Sequence, residues 1–193
     1  MYAKVENNTV VKVNLSLASF NNAAPSWSAE QLVANGIYEV VYDNTNLKDS
    51  RFYINGAESF TFANDVVTAS YAAAVGKTLD DVNAVDQEGN AVLDSDGVQI
   101  INLGVKTNEK NQIKAQAAGQ LKSTDWYVVR HAESAAAIPA NVSTFRTAVR
   151  TKSNEMETAI DNATTIEAVE ALFTYTKGAD DVSSRPLGEW PTL

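Results

Sequence analysis

Cysteine is absent from the 193 residues, and His131 is the only histidine. The first absence excludes disulfides, thiol nucleophiles and cysteine-ligated zinc or iron–sulfur centres; the second excludes any site built on several histidines. Together they remove most metalloenzyme and triad chemistries, so neither a bound metal nor an organic cofactor is expected. Long apolar runs are also missing. Nothing approaches the roughly 18 consecutive apolar residues of a membrane span. The opening MYAKVENNTVVKV lacks the basic start and continuous apolar stretch of a secretory signal. The Asn-x-Ser/Thr triplets at Asn7, Asn14, Asn141 and Asn162 are accordingly read as chance matches. Basic charge is scarce at the front, where residues 1–100 hold five Lys/Arg against 13 Asp/Glu; residues 101–193 hold ten against 11. That balance does not suit neutralising phosphates, and no nucleic-acid partner is expected.

What is present is a globular composition, 45% hydrophobic and 20% charged, in a chain long enough to bury a core unaided. The front half carries period-two patterns broken by turn residues. Tyr2–Glu6 and Thr9–Asn14 flank Asn7-Asn8 as a hairpin. Residues 15–25 read as irregular, and Ser28 caps a short helix over 29–34 that stops at Gly36. The run Ile37–Tyr42 (IYEVVY) is the clearest strand. Further strands are expected at 51–54, 58–62 and 66–71, with turns at Asn55-Gly56 and Asn64-Asp65. Phe60 and Phe62 alternate with Ser59, Thr61 and Ala63, so one face of their strand is expected to be buried.

Residues 80–101 read as another hairpin-bearing segment with turns at Gln87–Asn90 and Asp94–Gly97. The string Asp94-Ser95-Asp96-Gly97 resembles part of a calcium loop. Val92 stands where a further ligand belongs, so a solvated turn is expected. No internal repeat stands out.

From Asn108 the period becomes helical. Asn108 is expected to cap a helix to Leu121, with Ile113, Ala117 and Leu121 inward and Lys106, Lys110 and Lys114 on a solvated edge. A short helix from Ser123 or Thr124 is expected to turn Trp126 and Val129 into the core. Pro139 opens the longest helix, to about Asn162, with Val142, Phe145, Val149, Met156 and Ile160 on its apolar face. Thr164 and Glu167 suggest a capping box for a last helix bearing Ile166, Val169, Leu172 and Phe173. From Gly178 periodicity fades, leaving Leu187 and Trp190 as the sizeable apolar anchors.

The fold class expected is α+β: an N-terminal antiparallel meander with a short helix over 1–104, a helical hairpin or small bundle over 105–177, and an extended tail over 178–193. The shift near residue 104 marks the boundary. Catalytic constellations are missing. His131 reads as a surface histidine, and the pair Arg146 and Arg150, one helical turn apart, reads as bonding to neighbouring carboxylates or carbonyls more readily than clamping an anion.

The block Thr124-Asp125-Trp126-Tyr127-Val128-Val129-Arg130, then Ile138-Pro139, then Phe145-Arg146-Thr147-Ala148-Val149-Arg150, resembles small tail-region proteins of tailed bacteriophages, marine ones in particular. The opening YAKVENNTVV, the YEVV strand and the ending Arg185-Pro186-Leu187-Gly188-Glu189-Trp190-Pro191 are similar to the same group; residues 80–101 lack a counterpart in its shorter members. The resemblance implies a non-enzymatic structural or adaptor protein of a phage tail, made in the host cytoplasm and carried in the virion. Its expected partners are tail or fibre subunits and further copies of itself as a homo-oligomer. The candidate partner-binding residues are Leu187, Trp190, Arg146 and Arg150. A fibre-assembly chaperone absent from the mature particle is the first alternative. A module that binds or hydrolyses host polysaccharide is the second.

Overall fold

The computed structural model describes residues 1–20 and 22–193, apart from the Asn14 side chain. Expectations touching Asn21, inside the irregular 15–25 stretch, and the Asn14 side chain lie outside the described residues. The fold is α+β, with an N-terminal sheet and C-terminal helices. The chain forms two compact units, Met1–Gly76 and Lys77–Leu193. They part at residue 76, not at 104: the composition shift at 104 records a change of backbone period, whereas the contacts break upstream of it.

In the first unit, strands β1 (Tyr2–Glu6), β2 (Thr9–Leu15), β3 (Ile37–Asp43), β5 (Glu58–Ala63) and β6 (Val66–Tyr71) form one sheet in the order β2-β1-β3-β6-β5. The connections β1–β2 and β5–β6 are two-residue hairpins. Asn7 and Asn8 have φ of 50° and 59°, Asn64 and Asp65 of 51° and 59°. This left-handed pair matches the twist of the flanking strands, and Asn and Asp tolerate it. The meander expectation holds for the three antiparallel pairs, but β3 and β6 run parallel at the centre. The crossover between them contains β4 (Tyr53–Ile54), which pairs with β7 (Val75–Gly76) in a separate ribbon. Ala3, Val5, Val40, Val67 and Ala69 are buried between Phe60, Phe62 and Tyr38, whose ring lies 4.7 Å from that of Phe62. Helix α1 (Ala29–Ala34) begins with a full capping box between Ser28 and Gln31.

The second unit is built on α2 (Val105–Lys122) and α4 (Ala140–Asn162). They run antiparallel: Lys110 meets Asp161, Lys114 meets Glu157, and Ala117 shares a cluster with Phe145 and Val149. The expected apolar face of α4 is buried throughout, and Ile113, Met156, Ile160 and Leu187 make its main cluster. Helix α5 (Ile166–Phe173) is capped by Thr165, one residue later than expected, through its hydroxyl and the Ala168 N–H. Helix α2 starts three residues earlier than Asn108, behind Gly104. The lysine edge is ion-paired at the surface, with the Lys114 side chain still 61% exposed. Lys106 pairs with Asp80 at 3.4 Å, Lys110 with Asp161 at 2.6 Å and Lys114 with Glu157 at 3.4 Å, which makes it an ionic seam. The Asp161 carboxylate holds the Lys110 ammonium above the ordinary lysine pKa.

The tail differs most from expectation. After the ribbon β10 (Thr176–Lys177) with β11 (Ser183–Ser184), it lies back on its own helices. Leu187 is 2% exposed, and its N–H donates to the Leu172 carbonyl at 3.1 Å. The Trp190 indole donates to Gln116 Oε1 at 3.0 Å, and Tyr175 donates to Glu189 at 2.6 Å. Two anchors suffice here because α2, α4 and α5 leave an apolar end that Leu187 closes.

Candidate interaction surfaces

Three local structures in the second unit gather the residues that the sequence singled out. The first is a buried latch at the bend between α2 and α3 (Asp125–Ser134). Arg146, on α4, is 8% exposed. Its Nη1 donates to the Leu121 carbonyl at 3.0 Å, the Thr124 hydroxyl at 2.7 Å and Asp125 Oδ1 at 2.8 Å. Thr124 in turn donates to the Leu121 carbonyl at 2.8 Å. One guanidinium therefore satisfies the frayed end of α2 and sets where α3 begins. Arg146 is used up inside the chain. Arg150, one turn on, is exposed and has no ion-pair partner among the described residues.

The second structure is α3 itself, a helix with no buried residue. The expectation that Trp126 anchors the core is corrected: its side chain is 51% exposed, and Val128 and Val129 are exposed beside it. Apolar periodicity marks a face but does not say what covers it; the latch holds α3 outside the core that α2 and α4 close. The Trp126 and Tyr127 ring centroids are 4.1 Å apart, and the Arg130 guanidinium lies 4.6 Å from the centroid of Trp126. Trp, Tyr and Arg are the side chains that most often dominate binding at interfaces. His131, at the same helix end, contacts the Ala136 carbonyl through Nδ1 at 2.9 Å.

The third is the segment 82–102, which folds as a cloverleaf. Strands β8 (Val82–Asn83) and β9 (Ile101–Asn102) form its stem, and the bridges Val85–Ala91 and Leu93–Gln99 close its two leaves. Ala84 donates to Ile100, Val92 to Ala84 and Ile100 to Val92, at 2.8, 3.0 and 2.9 Å, a ring with residues eight apart. The Gln99 amide caps it from the side, with Nε2 at 2.8, 3.1 and 2.9 Å from the carbonyls of Ala84, Val92 and Ile100.

Each leaf turns on an aspartate. Asp86 Oδ1 accepts from the N–H of Glu88 and Asn90 at 3.0 and 2.8 Å; Asp94 Oδ1 accepts from those of Asp96 and Val98, both at 2.9 Å. Gly89 and Gly97 supply φ of 85° and 78°. The Asp94 carboxylate is thus engaged in its own turn, and its bonds from Asn90 hold the Asp86 carboxyl below the usual aspartate range. The eight-residue repeat Ala84-Val85-Asp86-x-x-Gly89 and Val92-Leu93-Asp94-x-x-Gly97 was legible and is a correction to the reading of no repeat. Gly104 joins the stem to α2: its N–H donates to Asp81 at 2.7 Å, and a Cβ there would collide with the Asp80 backbone.

Of the four candidate partner residues, Leu187 and Arg146 are buried in the unit, Trp190 is half-buried against it, and Arg150 lies open. Sequence reasoning missed the exposure of Trp126 and Arg130 with the half-buried Tyr127 between them, although their order in one helix turn was a signal. Among the described residues there is no group of three or more His, Asp or Glu placed to hold a metal ion, and no helix long and apolar enough to cross a membrane. No family model, no curated protein and no solved structure matches the chain.

Proposed function

We propose that the chain is a non-enzymatic structural adaptor of a bacteriophage tail, docking to tail or fibre subunits within the virion. The tail context comes from the resemblance carried by the Thr124–Arg130 and Phe145–Arg150 blocks. The observation that carries the adaptor reading is α3, a helix fixed in place by the Arg146 latch yet left with Trp126, Val128 and Val129 in solvent. Monomeric proteins seldom hold rigid aromatic and aliphatic side chains outward without a surface to cover them. Arg130 beside Trp126 adds a polar, cationic margin to that face, the usual surround of a docking patch. The test is quantitative mass spectrometry of purified particles from cells expressing the tagged chain with its cognate tail genes. A fixed number of copies per particle supports the adaptor; its presence in assembling cells and absence from finished particles contradicts it and assigns the chain to assembly instead.

A further inference from the structure

The cloverleaf and α3 stand at opposite ends of one helix. The stem of the cloverleaf enters the N-terminus of α2 at Gly104, and α3 leaves its C-terminus at Thr124. Eighteen residues at 1.5 Å each separate them by about 27 Å. Each end has an uncovered apolar surface. On the cloverleaf, Val85, Leu93 and Ile101 directly follow the ring residues Ala84, Val92 and Ile100, so they occupy equivalent positions of its approximate threefold. A rotation keeps equivalent atoms at the same height along its axis, so the three lie on one level. All three are more than half exposed, as is Val98. The ring residues beside them alternate to the other side, where Ala84 is buried, Val92 is half-buried and Ile100 is 39% exposed.

The two ends carry opposite charge. Between Asp80 and Leu103 there are six acidic residues and no Lys or Arg; Asp86, Glu88, Asp94 and Asp96 sit at the leaf tips. From Lys122 to Lys152 there are five Lys/Arg and two acidic residues. Of the two, Asp125 is paired with Arg146 and Glu133 is exposed on α3, so the exposed Lys122, Arg130 and Arg150 outnumber the one remaining carboxylate at this end, with Arg130 against the aromatic rings. An apolar centre with an acidic rim and an apolar centre with a cationic rim complement each other. The short stem and the ionic seam hold both ends on one body, so the chain cannot fold one end onto the other.

We propose that the cloverleaf of one chain docks on the α3 face of a second copy. Such a contact uses different surfaces on the two partners, and each added chain leaves one surface of each kind free. It therefore builds a closed ring or an open filament and not a twofold dimer. The inference deepens the adaptor reading and relies on it for its biological setting. The physical claim is separable: a chain that self-associates but is missing from particles refutes only the adaptor, and a chain found in particles that never self-associates refutes only this contact.

Two double variants break one surface each: Trp126→Ser with Arg130→Glu on α3, and Leu93→Lys with Ile101→Lys on the cloverleaf. All four side chains are exposed, so thermal unfolding is expected to match the parent. Sedimentation of the parent chain up to about 100 μM, the range of a micromolar contact, should show species growing beyond a dimer and shrinking in high salt. Each variant alone should sediment as a monomer, and an equimolar mixture should form a 1:1 dimer that grows no further, because each variant retains the surface the other lacks. A parent that stays monomeric or stops at a dimer overturns the proposal, and so does a mixture that remains monomeric. If a variant fails to fold, the parent's growth series and its salt response decide alone.

Discussion

The Arg146 guanidinium donates to the Thr124 hydroxyl across 2.7 Å, and both residues are buried. This contact ties the middle of the chain to its longest helix and decides that α3 stands clear of the core. Replacing Arg146 by Leu would leave the Leu121 carbonyl and the Thr124 hydroxyl without their charged donor. A loss of about 2–3 kcal/mol is expected, while Arg150→Ala should stay within about 0.5 kcal/mol. Denaturant unfolding of the two variants checks the contrast; equal effects would remove the latch from the account.

Leu187 closes the apolar end of α2, α4 and α5, so the C-terminal segment belongs to the fold of the free chain. Leu187→Ala is expected to cost about 2–5 kcal/mol, the range for a buried leucine. Hydrogen exchange should find the Leu187 amide protected in a dilute monomer, because it donates to the Leu172 carbonyl. Fast exchange at that amide, with the rest of the unit protected, would refute the placement.

Gln99 bonds to three backbone carbonyls of the cloverleaf ring. Gln99→Leu keeps the bulk and removes the donors. The amides of Ala84, Val92 and Ile100 should then exchange about tenfold faster, corresponding to roughly 1.4 kcal/mol of lost hydrogen bonding. Unchanged exchange would mean that the ring holds without its cap.

Asp86 sets a pH limit on the first leaf. Hydrogen bonds from Asn90, chiefly its N–H, hold its folded pKa below the ordinary aspartate value of 3.8. A group whose folded pKa is depressed stabilises the fold above its unfolded pKa, and that contribution is lost as pH falls through the folded value. The first leaf should therefore remain formed at neutral and mildly acidic pH and open only below the usual aspartate range. The amide shifts of Glu88 and Asn90, followed by NMR, should titrate with a midpoint under 3.8; a midpoint at or above it would contradict the turn geometry.

Much of this fold is written in local pattern. The two left-handed Asn/Asp pairs, the Ser28 cap and the buried face of α4 from Val142 to Ile160 follow from turn chemistry and period. What was not legible depends on contacts distant in sequence. The parallel pairing of β3 with β6 requires knowing where the crossover returns, and period two is the same in either direction. Lys106, Lys110 and Lys114 read as a solvated edge because their acids come from Asp80 and from α4, up to 51 residues away. Trp126 read as core because apolar spacing identifies a helix face without identifying its cover. Leu187 read as a partner-binding residue of an aperiodic tail because the site it fills is assembled from three helices.

Hydrogen exchange on the free monomer and on the chain in its assembled form, compared peptide by peptide, bears most directly on how this molecule works. New protection is expected over residues 125–134 of α3 and 84–101 of the cloverleaf, with the segment around Leu187 equally protected in both states. New protection confined to the C-terminal segment, with α3 and the cloverleaf unchanged, would contradict that expectation.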